Sequence, residues 1–528
     1  LQIRLGEHGL SSLIYEGHEF LLSARSGEIL PVNYTPRLSR GNDSIQGSSN
    51  PISVFVDNKK STVKYTYPWS TIIVNYTIRD DNLLISIKIK NTDNYYSISN
   101  LTLGVAQLTF LEVPTGRVLE AGMWGTGGIL QPLHIRPQMV APDQAPPIVE
   151  IRTSNIAAVF ASDDIPTEKR LQSIGIPFTT DRMDKRSYPL WITIKPLPPG
   201  ADLTVNVSLR FGSAASDLQS LAGDVLQTYR RSYPYELTWP SHAPIGALFL
   251  ATSQPHPLKN PRGWFLNAKD VDVTTPAGLQ NWHDRLMAFA DRSIRVLQDM
   301  GAQGMITWDP EGQEFPNATF YGAPQLTSKL APETNFASAG TLETIDEYFA
   351  KFRAVGLRTG VTLRPQRIVF HQGIPVQEFS EDPFSELLEK IRYARKRWGC
   401  TLFYIDSTYD MSGPLSADIM RSLRQANPDV LLIPENEDFR DFAYTAPLNS
   451  FNHFGVTQTP SSVREVYKDA FSVIFASLPQ RTSTASIERL VDAVRNGDIL
   501  LVGGWYPGPH VEYAKQIYKE AREKKSSH

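Results

Sequence analysis

The feature that most constrains this chain is a change of rhythm near residue 240. Beyond it, short apolar runs alternate with helix-length amphipathic segments to the end of the chain; before it, strand follows strand with hardly any helical signal. Two such rhythms cannot share one layer architecture, and 528 residues exceed one ordinary domain. The expected organisation is a β-sandwich over 1–215, a helical linker over 216–240 and an α/β domain over 241–528.

In the first part, strands are expected at 52–56, 62–67, 71–78, 83–90, 98–110, 157–161, 190–195 and 203–211. The clearest is 83–90, where Ile85, Ile87 and Ile89 share one face while Ser86, Lys88 and Lys90 share the other. That period of two marks a half-buried antiparallel strand, and many such strands at regular spacing imply an all-β sandwich.

In the second part, strands are expected at 245–251, 304–309, 358–364, 401–406, 430–434, 451–456, 471–478 and 498–503. Helices are expected at 284–300, 342–355, 384–398, 415–426, 461–469, 486–496 and 511–524. Eight strand–helix units in about 285 residues fit a (β/α)8 TIM barrel. A doubly wound sheet would carry a glycine-rich nucleotide loop after an early strand, whereas the first strand here runs into Thr252-Ser-Gln-Pro-His-Pro. The barrel is preferred.

Composition removes several functions. A net charge of −3 offers no basic face for nucleic acid, and Arg395-Lys396-Arg397 reads as the cationic end of a helix. No apolar run is long enough to span a membrane. The lone cysteine, Cys400, precedes an apolar strand and reads as a buried small hydrophobe. No cofactor or metal is expected, since the first barrel strand carries no His-x-His pair. A chain beginning at Leu1 suggests a mature form, and the expected location is secreted or periplasmic; the sequons at Asn33, Asn42, Asn75, Asn100, Asn206 and Asn317 are only slightly more than chance gives and do not establish that route.

In a barrel, chemistry gathers at the C-terminal ends of the strands. Strand two ends in Trp308-Asp309-Pro310-Glu311, strand three in Arg364-Pro365-Gln366, strand four in Tyr404-Ile405-Asp406-Ser407 and strand five in Pro434-Glu435-Asn436-Glu437. Strand six offers His453 and strand eight Trp505. Parity along strand four sends apolar Phe403 and Ile405 outward, and therefore Tyr404 and Asp406 inward. A single Asp ending a strand is often only a cap, and Asp438 could cap the helix that follows it. Three carboxylates and an arginine at one end of a barrel point instead to glycoside hydrolysis, which uses one carboxylate as nucleophile or base and another as proton donor. Asp406 is assigned as nucleophile, with Arg364 holding it ionised, and Glu435 as the acid. Trp308, Asp309, Glu311, Arg364, Gln366, Tyr404, Asn436, His453 and Trp505 are assigned to carbohydrate binding.

The stretch Gly9-Leu-Ser-Ser-Leu-Ile-Tyr-Glu-Gly-His and the strand Asp81-Asn-Leu-Leu-Ile-Ser-Ile-Lys-Ile-Lys-Asn-Thr resemble the galactose-mutarotase-like sandwiches that precede barrels in several glycoside hydrolase families. An Asp on strand four with a Glu on strand five is similar to the α-amylase superfamily and to endo-α-N-acetylgalactosaminidases. That likeness implies a retaining α-glycosidase. Two departures count against an amylase proper: Tyr404 stands where the amylase pattern has Arg, and strand seven has no Asp. The α-galactosidase-like clan places its acid on strand six, and residues 450–458 contain none. An inverting or β-specific glycosidase, and a binding protein on a degenerate barrel, are the alternatives.

Overall fold

The computed structural model describes residues 1–21, 32, 35–121, 128–163, 170–177, 186–251, 258–313, 320–327, 344–410, 413–435, 438–450, 458–476, 483–503 and 509–525. The chain divides into two compact units whose boundary falls between Pro234 and Tyr235.

The first unit is built on two antiparallel sheets. The nine-stranded sheet has at its centre Asp202–Ser213, Asn82–Asn91 and Ser70–Arg79, and the six-stranded sheet is centred on Ser187–Ile194 and Ser97–Thr109. Ile85, Ile87 and Ile89 are buried while Lys88 and Lys90 are exposed, so the period of two is a true inside–outside alternation. Tyr65, Val74, Tyr76, Ile85 and Ile87 of one sheet face Leu103 and Val105 of the other across the interior, which makes the unit a sandwich. Strands at Thr115–Val118, Ile148–Arg152 and Leu171–Ile176 were not expected; glycines such as Gly116 and Gly175 interrupt their apolar pattern. After the last strand, Asp217 caps the helix Leu218–Ser232 by accepting from Ser220 N at 2.7 Å. Buried Arg210 ties that helix to the sheet, donating to Leu221 O at 3.2 Å and pairing with Asp224. This helix belongs to the first unit, and the second opens at Tyr235.

The second unit holds eight parallel strands: β1 Ile245–Phe249, β2 Gly304–Trp308, β3 Thr359–Leu363, β4 Cys400–Ile405, β5 Leu431–Pro434, β6 Leu448–Ser450, β7 Val473–Ala476 and β8 Ile499–Gly503. Their order is β5-β4-β3-β2-β1-β8-β7-β6, so the sheet curls back on itself through the β1–β8 pair. At the remaining seam Ala446 N donates to Leu432 O at 3.0 Å. This is the (β/α)8 barrel. β2 and β3 are buried along their whole length, as strands covered on both faces must be.

The outer layer comprises α1 Pro276–Asp299, α2 Thr344–Ala354, α3 Pro383–Trp398, α4 Ala417–Ala426, α5 Ser461–Val466, α6 Thr484–Arg495 and α7 Pro509–Lys525. Their ends follow local chemistry: Asp382 caps α3 ahead of Pro383, and Gly399 closes it at φ 64°. Arg395 and Arg397 near that end pair with Asp429 and Asp346, both at 2.6 Å. Cys400 is fully buried and its thiol is pushed up to about 12 by desolvation.

β6 occupies Leu448–Ser450, and the expected 451–456 lies wholly outside the described residues. Its apolar signal is broken by Asn449, which is buried and donates to Ser472 Oγ at 2.8 Å, so a core strand reads as a polar loop.

Candidate active site

The strand ends converge as barrel parity requires. Trp308 of β2 stacks on Phe249 of β1, with centroids 4.9 Å apart, and leans on Tyr404 of β4 at 5.1 Å. Trp308 is 7% exposed, so it forms an inner wall that supports Tyr404 and offers a sugar little open face. Carbohydrate binding was expected of it; here its ring packs against Phe249 and Tyr404.

Asp406 follows β4 directly, and its N–H donates to Leu363 O at 2.8 Å, continuing the β3–β4 ladder one residue past the strand. Its carboxylate is held from β3: Arg364 donates through Nε at 2.5 Å and through Nη2 to the same Oδ2. Tyr404 OH approaches Oδ1 at 3.5 Å.

Glu435 follows β5, its N–H donating to Ile405 O at 2.9 Å. The side chain accepts from Ser407 N at 2.7 Å and lies against Asp406. Ser407 adopts φ 51°, a left-handed conformation unusual for a non-glycine residue, and it is this conformation that accompanies the N–H bond to Glu435. Burial, and next the negative charge of Asp406, push the Glu435 carboxyl up. Two carboxyls in contact, one gripped by a guanidinium and the other raised, are suited to divide into an anion and an acid.

Beside this pair lies a sealed group. Asp309, Glu311 and Gln313 are each at most 1% exposed. Asp309 Oδ2 accepts from Gln313 Nε2 at 2.6 Å, and Glu311 Oε1 accepts from Ala323 N at 2.9 Å. Asp309 Oδ1, Glu311 Oε2 and Gln313 Oε1 have no hydrogen-bond partner among the described residues. Burial and then the charge of Glu311 push Asp309 well up, and burial pushes Glu311 up to about 7. Asp309, like Ser407, leaves its strand at positive φ, 53°.

Arg364 is clamped from several directions. Its N–H donates to Gly322 O at 3.1 Å, Nη1 donates to Gln377 Oε1 at 3.3 Å, and its guanidinium lies 5.5 Å from the Phe320 ring centroid. Gln377 belongs to a hairpin, Arg367–His371 with Ile374–Glu378, inserted between β3 and α3. Gln366 donates to Ser407 O at 3.1 Å, bracing the turn after Asp406. Lys390 of α3 is buried, donating to Arg364 O at 2.7 Å and Gln366 O at 2.6 Å, with Glu386 Oε1 at 3.0 Å.

Of the expected residues, Trp308, Asp309, Glu311, Arg364, Gln366, Tyr404, Asp406 and Glu435 gather at this end of the barrel. Asn436, His453 and Trp505 lie outside the described residues. Asp438 caps the short 3-10 helix Phe439–Ala443. Gln313, Phe320, Gln377 and Lys390 were not singled out in the sequence. Among the described residues no cluster of three His, Cys, Asp or Glu could hold a metal, and no helix is long and apolar enough to cross a membrane.

No family model and no curated protein matches the chain. Among solved structures, the α-N-acetylgalactosaminidase NagBb of Bifidobacterium bifidum aligns with TM-score 0.55 and 12% identity, over 98% of this chain and 91% of that one. The chain has the fold of a sandwich-and-barrel glycoside hydrolase. The GH36 α-galactosidase AgaA of Geobacillus stearothermophilus aligns at TM-score 0.44 and 10% identity, over 93% of this chain and 76% of that one. A cycloalternan-degrading enzyme of Trueperella pyogenes aligns at 0.45 and 9%, over 94% and 81%.

Proposed function

We propose that the chain is a retaining glycoside hydrolase acting on α-linked sugars, with Asp406 as nucleophile and Glu435 as acid and base. The observation that carries this reading is the contact of the two carboxyls at the ends of neighbouring strands, Asp406 gripped by Arg364 and Glu435 raised by burial. Adjoining strand ends that bring both carboxyls to the Ser407 turn support the closer spacing of retaining enzymes, about 5–5.5 Å, over the roughly 6.5–9.5 Å that inverting enzymes need to admit a water.

In the first step an Asp406 oxygen attacks the anomeric carbon as Glu435 gives its proton to the departing glycosidic oxygen. A glycosyl ester with inverted configuration and an alcohol result. Glu435, now ionised, takes a proton from water, whose oxygen attacks the same carbon and releases Asp406. Two inversions restore the starting anomer, and Glu435 ends as it began. Arg364 and Tyr404 hold the nucleophile still throughout. The sugar class is proposed from the fold neighbour named an α-N-acetylgalactosaminidase, which makes α-galactosaminides the first substrates to test.

The test is hydrolysis of a panel of aryl α- and β-glycosides and oligosaccharides, with NMR of the first-formed anomer. Release of the α-anomer from an α-glycoside, abolished in Asp406→Asn, is expected. A β-anomer released first would replace retention by inversion, and an active Asp406→Asn variant would remove Asp406 from the chemistry.

A further inference from the structure

Lys390 carries an ammonium into the interior of the second unit, beside Glu386 and within the field of Glu311. It sits on the inner side of α3, fully buried, and its ammonium is spent on Glu386 and on two backbone carbonyls, those of Arg364 and Gln366. Burying an ammonium is costly, and an apolar residue would fill the same space without that penalty. What the ammonium does uniquely is bridge the carbonyls on either side of Pro365. Proline donates no N–H, so this tripeptide has one backbone donor fewer with which to hold itself. Both bridged residues reach Asp406 and its turn: Arg364 grips the carboxylate, and Gln366 donates to Ser407 O. Ser407 N in turn anchors Glu435.

We propose that Lys390 is a positioning residue for the nucleophile, fixing the Arg364-Pro365-Gln366 segment so that Arg364 and Gln366 together hold Asp406 and the turn carrying Ser407. It touches neither carboxylate of the pair in the hydrogen bonds described, and acts through the backbone of β3. The inference rests on the reading of Asp406 as nucleophile.

The experiment is a double-mutant cycle of Lys390→Met and Arg364→Met in the full chain, read by kcat, KM and amide hydrogen exchange. In Lys390→Met, kcat should fall on the order of 10²-fold, the loss that a small misplacement of a reacting group produces, with KM changed by less than about threefold. Substrates with poor leaving groups should suffer at least as much as those with good ones, because the turn that shifts with Asp406 also anchors Glu435 through Ser407 N. On an Arg364→Met background the same change should cost at least about threefold less than on the wild type, since one of its two routes is already cut and only that through Gln366 and Ser407 remains. Losses that multiply, or an unaltered kcat in folded Lys390→Met, would overturn the proposal. If Lys390→Met melts below the assay temperature, Glu386→Gln carries the same cycle. It keeps the ammonium but removes its ion partner, so a smaller, equally non-additive loss is expected, and an additive one is adverse. Exchange of the Arg364 and Asp406 amides, bonded to Gly322 O and Leu363 O, should quicken in either variant at matched global stability. If the wild type hydrolysed no glycoside, the enzymatic reading would fall, while this exchange would still decide whether Lys390 holds the segment.

Discussion

The backbone N–H of Ser407 donates to Oε2 of Glu435 at 2.7 Å, so the residue that follows one carboxylate anchors the other. The pair therefore moves as a unit. A disturbance of the turn after β4 is felt by both the nucleophile and the acid.

Replacing Glu435 by Gln keeps an acceptor for Ser407 N but removes the proton donor. Proton transfer is worth about 10²–10⁴-fold, so glycosylation of substrates with poor leaving groups should slow by that order. Activated aryl glycosides should lose much less in pre-steady-state bursts. Equal losses on both kinds would exclude Glu435 as the acid.

The pH profile follows from the raised carboxyl. Glu435 must carry its proton in the first step, so kcat/KM should fall as pH rises through the Glu435 pKa of the free enzyme. Burial and the charge of Asp406 raise that pKa, which moves the alkaline limb above the ordinary carboxylate range. In Glu435→Gln the limb should vanish, which a pH titration of kcat/KM on an activated substrate would report.

Glu311 gives a stability signature. Its folded pKa of about 7 lies above the ordinary value of 4.5, so the folded state binds its proton more tightly than the unfolded one. The resulting stabilisation is fully present below pH 4.5 and is lost as pH rises to about 7. Up to about 3 kcal/mol is at stake. Glu311→Gln, neutral throughout, should therefore show a flatter dependence than wild type in chemical denaturation between those pH values. Parallel curves would mean that Glu311 is ordinary in the folded state.

Gly322 offers a test of the Arg364 clamp. It adopts φ 53°, and a Cβ there would press on Arg364 N and the Leu363 carbonyl carbon. Gly322→Ala should destabilise by roughly 1–3 kcal/mol from backbone strain and contact, and it should push Arg364 away from Asp406. A fall in kcat larger than the fall in melting temperature accounts for is the expected result. Full activity in the folded variant would show that Arg364 tolerates displacement.

Much of the site was legible because strand-end residues carry two local signals, their place after an apolar run and their parity within it. Asp406, Tyr404, Arg364 and Trp308 were found in this way. Lys390 was not: with Glu386 four residues before it, it has the spacing of a solvent-exposed ion pair, and only packing shows that it is buried. Gln377 arrives from an inserted hairpin, and Gln313 from a loop without periodicity, so neither carries a signal that sequence reading can weigh. The described part of strand six, Leu448–Ser450, was not read as a strand because a buried polar side chain, Asn449, stands in its middle.

What the sequence alone determined is the pair of architectures, the strand ends on which carboxylates stand, and the side of the barrel to which they project. Those follow from period, proline and glycine punctuation and backbone parity, all of which are local. Only the tertiary structure decided that Asp406 and Glu435 touch, that Arg364 chooses Oδ2 of Asp406, and that Asp309 and Glu311 are sealed from water. Those relations depend on register between strands and on layers packed from residues far apart in the chain, and backbone geometry within a single strand carries no information about either.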